Sequence, residues 1–168
     1  DQLNAFVTAT LDYAFLERAE LALNLAHHDF THILPAIAAS VQHNALSATT
    51  IECDVDPKAR AVKCDIHLLE TVVRNLLHNA LRYAHARVRL QFLVEGTTYV
   101  LRVEDDGPGI APADRERVFE SFVQLDSGGQ SKSGFGLGLA IVKRVLEWHG
   151  GTVSVSASDW GGARFEAR

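Results

Sequence analysis

Apolar residues recur at three- and four-residue spacing in four stretches of the chain and alternate with polar ones in several others, so helices and strands are interleaved. The first helical stretch, residues 3–19, carries Leu3, Phe6, Val7, Leu11, Ala14 and Phe15 on one face. With no internal partner so early in the chain, that face is expected to pack on another helix, upstream or in a second chain. After a short segment at 21–25, a second helical pattern runs through Ile33, Leu34, Ile37, Ala38 and Val41, and short strands are expected at 50–55 and 61–64, on either side of an Asp56-Pro57 turn. The strongest helix starts after Asp65, a good N-cap residue, and covers 66–84. Leu69, Val72, Val73, Leu76, Leu77, Ala80 and Ala84 form its buried face, and Asn75, Asn79 and Arg82 fall on a narrow stripe beside it.

A hairpin follows, with Val88, Leu90, Phe92 and Val94 on one face, a turn at Gly96-Thr97, and Tyr99, Leu101 and Val103 on one face. Residues 111–133 are mostly polar around a short apolar knot at Val118, Phe119 and Phe122. A helix over 137–149 ends at Gly150-Gly151, and Val153 and Val155 pair with 164–167 across Gly161-Gly162 in a last hairpin. The mixture predicts an α+β fold, helices layered on a largely antiparallel or mixed sheet. No internal repeat is present.

The length, 168 residues, fits one domain with a short appendage, and 47% hydrophobic with 22% charged residues excludes a disordered chain. A net charge of -5 argues against a chain that lives on nucleic acid or anionic lipid, since either needs a surplus of Lys and Arg. No apolar run approaches the roughly 18 residues that suggest a membrane helix. Methionine is absent and the chain begins at Asp1, which reads as a segment of a longer protein. Cys53 and Cys64 are too few for a disulfide scaffold and are expected to be small buried hydrophobes in a reducing compartment.

Three patterns could carry chemistry. Gly134-Phe135-Gly136-Leu137-Gly138 stands just before an apolar helix, where free helix N-terminal N–H groups can meet an anion, although glycine turns there also serve simple tight packing. It is neither a P-loop nor a dinucleotide fingerprint, because the Lys-Ser/Thr pair and the preceding strand are both missing. At a strand end, Asp105 with Gly107 and Gly109 could accept from an exocyclic amine while a flat ring approaches the backbone, or could be a charged turn. Asn75 and Asn79, four apart, put two amide oxygens on one helical face, suited to Mg²⁺ or merely to solvent. His27-His28-Asp29 and His32 read as surface histidines rather than metal ligands or phosphate acceptors.

The order of these patterns changes the picture. Asn75-Leu-Leu-His-Asn79-Ala-Leu-Arg82-Tyr83, then Val103-Glu-Asp105-Asp-Gly107-Pro-Gly109-Ile110, then Val118-Phe119-Glu-Ser-Phe122, then Gly134 to Gly138 with Leu-Ala-Ile-Val resembles the asparagine, glycine and phenylalanine boxes of the ATP-binding domain of sensor histidine kinases. His149-Gly150-Gly151 and Gly161-Gly162 extend the likeness over residues 20–168, and 1–19 resemble the end of the dimerisation helix that leads into that domain. The resemblance implies a two-layer α/β sandwich of the Bergerat type, a mixed sheet with helices on one face.

It also implies roles and partners. ATP and Mg²⁺ would be the cofactors, with Asn79 as Mg²⁺ ligand and Asn75 beside it orienting water or phosphate, or itself ligating. Asp105 would accept from the adenine amine, with Gly107, Gly109 and Ile110 giving the ring room, and Phe122 would belong to the pocket wall. Arg82 would reach phosphate and Tyr83 adenine, while Gly134, Gly136, Leu137 and Gly138 would present N–H groups to the phosphates. Residues 111–133 would form a lid with Lys132 as the only cation after Leu125, where the family often has arginines. Asn75 stands where related ATPases carry a water-activating glutamate, which favours a kinase over a hydrolase. No histidine here is followed by the acidic residue and proline of the family's acceptor motif, so the γ-phosphoryl would go to a histidine on a dimerisation domain outside this chain and on to a response regulator. The implied parent is a homodimer anchored in the inner membrane with this domain in the cytoplasm, the fragment alone being a monomer that binds no nucleic acid. Two alternatives stay open: a serine kinase of the anti-sigma type and a non-catalytic ATP-binding regulatory module.

Overall fold

The computed structural model describes residues 22–45, 48–124 and 136–168; the helix expected over 3–19, its boundary with the following domain, and Lys132 and Gly134 lie outside the described residues. In order, the chain forms β1 (Ala26–His28), α1 (Phe30–Asn44), β2 (Thr50–Val55), β3 (Val62–Cys64), α2 (Ile66–Tyr83), β4 (Arg87–Glu95) and β5 (Thr98–Asp105). Two 3₁₀ turns (Pro112–Asp114 and Arg117–Phe119), α3 (Gly138–Trp148), β6 (Val153–Ala157) and β7 (Ala163–Ala167) complete it.

The central sheet has the order β2-β4-β5-β7-β6, with β2 parallel to β4 and the remaining pairs antiparallel, so it is mixed as expected. Strand alternation splits its two faces. Leu90 lies opposite Val103, Val103 opposite Phe165 and Phe165 opposite Val155, a buried row on which Leu76 and Leu77 of α2 and Val142 and Val145 of α3 are packed. The other face carries ion pairs: Arg102 to Glu166 at 2.6 Å, Arg89 to Glu104 at 3.9 Å, and Arg164 to Glu104. Solvent screens most such pairs, but Glu104 is only 2% exposed and therefore depends on its two arginines. The result is two layers, helices on one face and charges on the other.

Asp65 caps α2 as expected and does more. Its carboxylate accepts from Leu68 N (3.4 Å) and from Asn24 N (3.0 Å), and its own N–H donates to His149 Nε2 (3.1 Å). With Nε2 accepting, the proton belongs on Nδ1, which lies 2.8 Å from Val145 O. The end of α3 is thereby stapled to the start of α2.

Several expectations need correcting. β1 was not foreseen, because three residues are too few to display alternation; it pairs antiparallel with β3 in a separate two-stranded sheet. Tyr99, expected on the buried face with Leu101 and Val103, is 37% exposed near the hairpin end, its ring stacked on Phe92 at 5.9 Å. Leu69 and Ala84 are half-buried. Cys64 is buried as expected, and burial followed by the Asp65 charge pushes its thiol up to about 11, but Cys53 is exposed on edge strand β2. The outer side of β2 is met by Gln42 of α1, whose side-chain N–H donates to Thr49 O (2.8 Å) and whose oxygen accepts from Ile51 N (2.7 Å).

Candidate functional site

The second half of α2 carries the polar stripe because its opposite face is spent on the core: Val72, Leu76 and Ala80 are fully buried, which leaves Asn75, Asn79 and Arg82 at the margin of the helix layer. Asn75 donates through Nδ2 to Thr71 O (2.9 Å), fixing the amide so that Oδ1 faces α3. A side chain at Gly138 would come within 2.8 Å of that oxygen, so glycine there lets the first turn of α3 sit against the asparagine. Asn79 is half-buried, and its side-chain amide has no hydrogen-bond partner among the described residues. Between them His78, which sequence reasoning passed over, is held below its ordinary value by desolvation and then by Arg74 and Arg82.

Asp105 ends β5 at 2% exposure. Its Oδ1 accepts from Gly107 N (2.9 Å) and Ala163 N (3.2 Å), so Oδ2 is the oxygen available to an outside donor. Burial pushes the carboxyl above its ordinary value, and the two backbone donors only partly offset that. Gly107 passes so close to the Tyr83 carbonyl that any side chain there would collide with it, which ties the end of α2 to the glycine turn. Asp106 was not anticipated. Its carboxylate accepts from His85 N (2.8 Å), Ala86 N (3.1 Å) and Arg87 N (3.3 Å), fixing the α2–β4 connection beside the pocket. An aspartate within a turn is the signal that could have found it.

The phenylalanine segment meets the last glycine group directly. Val118 and Phe119 are buried, and the Phe119 ring meets Phe165 edge-on at 6.2 Å, so the start of the expected lid is anchored in the core. Phe122 is 58% exposed, with φ +65°, a conformation that favours glycine, and its N–H donates to Gly136 O (2.8 Å). Gly136 has φ +67° and abuts the Phe122 backbone, so it needs both the positive φ and the missing side chain. Strained non-glycine residues cluster at functional sites. Leu137 is 1% exposed with its side chain in the core, and Ile110 packs partly buried against that core.

The four sequence patterns therefore meet: Asn75 on Gly138, Tyr83 on Gly107, Phe122 on Gly136, and Asp105 between Gly107 and the β6–β7 turn. An aromatic base fits this set, because Asp105 keeps one acceptor oxygen free and the adjoining glycine turn offers no side chain to block it. Hard oxygen ligands and a helix N-terminus that no described side chain caps fit a Mg²⁺-bound phosphate chain. The histidines at the other end do not gather: His32 is 87% exposed, 3.9 Å from Asp29, and no metal-holding cluster occurs among the described residues.

The chain is similar to known proteins. Residues 64–168 match the family model of histidine kinase-, DNA gyrase B-, and HSP90-like ATPases. Sensor protein RstB of Escherichia coli (strain K12) is 42% identical over 165 residues, 98% of this chain and 38% of RstB. Sensor histidine kinase CpxA of the same organism is 41% identical over 97 residues, 57% of this chain and 21% of CpxA. The chain thus spans well under half the length of these relatives. Among solved structures, full-length ShkA in complex with AMPPNP superposes with a TM-score of 0.87 at 33% identity, covering 98% of this chain and 35% of that one. The Acinetobacter baumannii histidine kinase AdeS gives 0.79 at 26% identity, covering 98% and 76%.

Proposed function

Because the chain belongs to the family of histidine kinase-, DNA gyrase B- and HSP90-like ATPases, and its relatives within it are sensor kinases, we propose that it is the ATP-binding catalytic domain of a sensor histidine kinase. It delivers the γ-phosphoryl to a histidine on a dimerisation domain outside residues 20–168, for relay to a response regulator. The parent is a dimer anchored in a membrane; no helix among the described residues is long and apolar enough to cross one. The observation that carries this reading is the packing of Gly138 on Asn75 and of Gly107 on both Tyr83 and Asp105, which brings three of the sequence patterns together.

Mg²⁺-ATP, when bound, supplies the transferable group and the cation that offsets its charge, which leaves the protein to position and neutralise. Asp105 Oδ2 accepts from the adenine amine, and Gly107 and Gly109 leave the ring a side-chain-free wall. Asn79, whose side-chain amide has no partner among the described residues, would hold Mg²⁺ through its amide oxygen. Asn75, its amide locked by Thr71, orients what lies between α2 and α3 but has no basicity with which to activate water. Arg82 would meet phosphate and Tyr83 the base, and the N–H groups of Gly136, Leu137 and Gly138 would meet the phosphate chain, with Lys132 and Gly134, which lie outside the described residues, assigned to the same phosphates.

Phosphate transfer tests this. Mixed with a fragment carrying the parent's acceptor helices, the chain with γ-labelled ATP should yield an acid-labile, base-stable phosphohistidine, and Asn79→Ala should abolish it. Without that fragment it should neither label itself nor hydrolyse ATP appreciably. Self-labelling on His28 or His32 would overturn the external acceptor, acid-stable phosphoserine would point to the anti-sigma type, and binding without transfer would leave a regulatory module.

A further inference from the structure

The β6–β7 turn, residues 158–162, adjoins Asp105 and Gly109 and is held from its other side by an arrangement the nucleotide reading does not use. Trp160 lies under two guanidinium groups: Arg87 at 4.1 Å and Arg89 at 4.3 Å from its ring centroid, both projecting from β4. Inside the turn, Trp160 N donates to Ser158 Oγ (3.2 Å), Gly161 N to Ser158 O (3.0 Å) and Ser158 N to Gly162 O (2.9 Å), with Ser158 buried. The inner side of the same turn touches the base-binding groups. Ala163 N donates to Asp105 Oδ1 (3.2 Å), and the carbonyls of Gly161 and Gly162 face Gly109. Arg89 is further committed to Glu52 (3.6 Å) and Glu104 (3.9 Å), so the stack rests on an arginine that is itself fixed.

We propose that Trp160, clamped by Arg87 and Arg89, is a positioning residue for base selection: it fixes the β6–β7 turn so that Ala163 N occupies Asp105 Oδ1 and leaves Oδ2 to read the exocyclic amine. This rests on the adenine reading of Asp105. Cation–π contacts hold a ring over a guanidinium without directional hydrogen bonds, so they orient a plane while the turn's own bonds set its shape. Were the turn to drift, Asp105 would lose one of its two fixed donors and could swing out of line with the amine. Selectivity for an amine over a carbonyl would fall, while binding through the phosphates and Mg²⁺ would persist.

The test compares ATP with inosine triphosphate, which carries oxygen where adenine carries the amine. Calorimetry on the parent chain should show ATP bound at least about tenfold more tightly, the scale of one charge-assisted hydrogen bond. Trp160→Ala should shrink that ratio to about twofold or less, mainly by weakening ATP, with the Mg²⁺ dependence of binding retained. Trp160→Phe keeps a ring for the two arginines and should restore most of it. General loosening of the fold would weaken both nucleotides alike and leave the ratio in place. Should Trp160→Ala not fold, Arg87→Gln removes one of the two guanidinium contacts at an exposed position and should lower the ratio part-way. An unchanged ratio in the alanine variant, or in Arg87→Gln when it stands in, overturns the clamp, as does a phenylalanine variant no better than alanine. A parent chain that does not distinguish the two nucleotides overturns the adenine reading itself, and the clamp with it.

Discussion

Asp105 and Asp106 adjoin in sequence and are displaced from the ordinary carboxylate value in opposite directions. Burial raises Asp105, so the folded state holds its proton more firmly than the unfolded chain does. The stability this gives is complete below the ordinary value of 3.8 and is lost as pH rises through the raised one. Asp106 is pulled up by burial but further down by the N–H groups of Ala86, Arg87 and His85, so its stability is present above 3.8 and lost as pH falls through the lowered value. Asp105→Asn keeps an oxygen for Gly107 and Ala163 and removes the buried charge. Urea unfolding at pH 7 should find it at least as stable as the parent, an advantage that fades towards pH 3.8, while ATP binding weakens about tenfold. Asp106→Asn should lose about 1 kcal/mol or less at pH 7, since solvent screens the site, and the loss should vanish in acid. Asp105→Asn less stable than the parent at neutral pH would mean that the charge is not strained there.

At the scale of elements, α2 carries most of the site and is tied down at its start, far from Asn79. Asp65→Ala removes its cap and the anchor for Asn24, and should lower unfolding stability by about 1 kcal/mol. At temperatures where the variant is folded, ATP affinity should stay near the parent's; a large loss would show that the cap positions the asparagines. This helix was also the most legible part of the sequence, because eighteen residues of regular periodicity leave no competing reading. The same holds for β4 and β5, whose long alternation marks both faces. What escaped was short or non-local. β1 is too brief to show a period, the hold of Asp106 on residues 85–87 spans the β4–β5 hairpin, and the Trp160 clamp joins β4 to a turn some seventy positions later. Of the site, the asparagine stripe, Asp105 and the glycines were readable as types and spacing. That Gly138 faces Asn75 and Gly107 faces Tyr83 depends on how α2, α3 and β5 pack.

For the molecule as a whole, helices on one sheet face leave the other to charges, and the proposed nucleotide site falls along the rim where α2 meets the start of α3 and the end of β5 meets the β6–β7 turn. A sheet that is not closed into a barrel also has two ends, and here they are β2 and β6. At β2 the side chain of Gln42 donates to Thr49 and accepts from Ile51, so one amide does what a neighbouring strand's peptide group would do. An open strand edge is a template on which another copy can add its own strand. Replacing Gln42 with Leu would keep the helix and its packing yet bare those two backbone groups. The variant should retain the parent's circular dichroism in dilute solution but scatter light increasingly on concentration and storage, where the parent stays clear. A glutamine that touches no nucleotide would then set how crowded a solution this domain tolerates before copies begin to polymerise edge to edge.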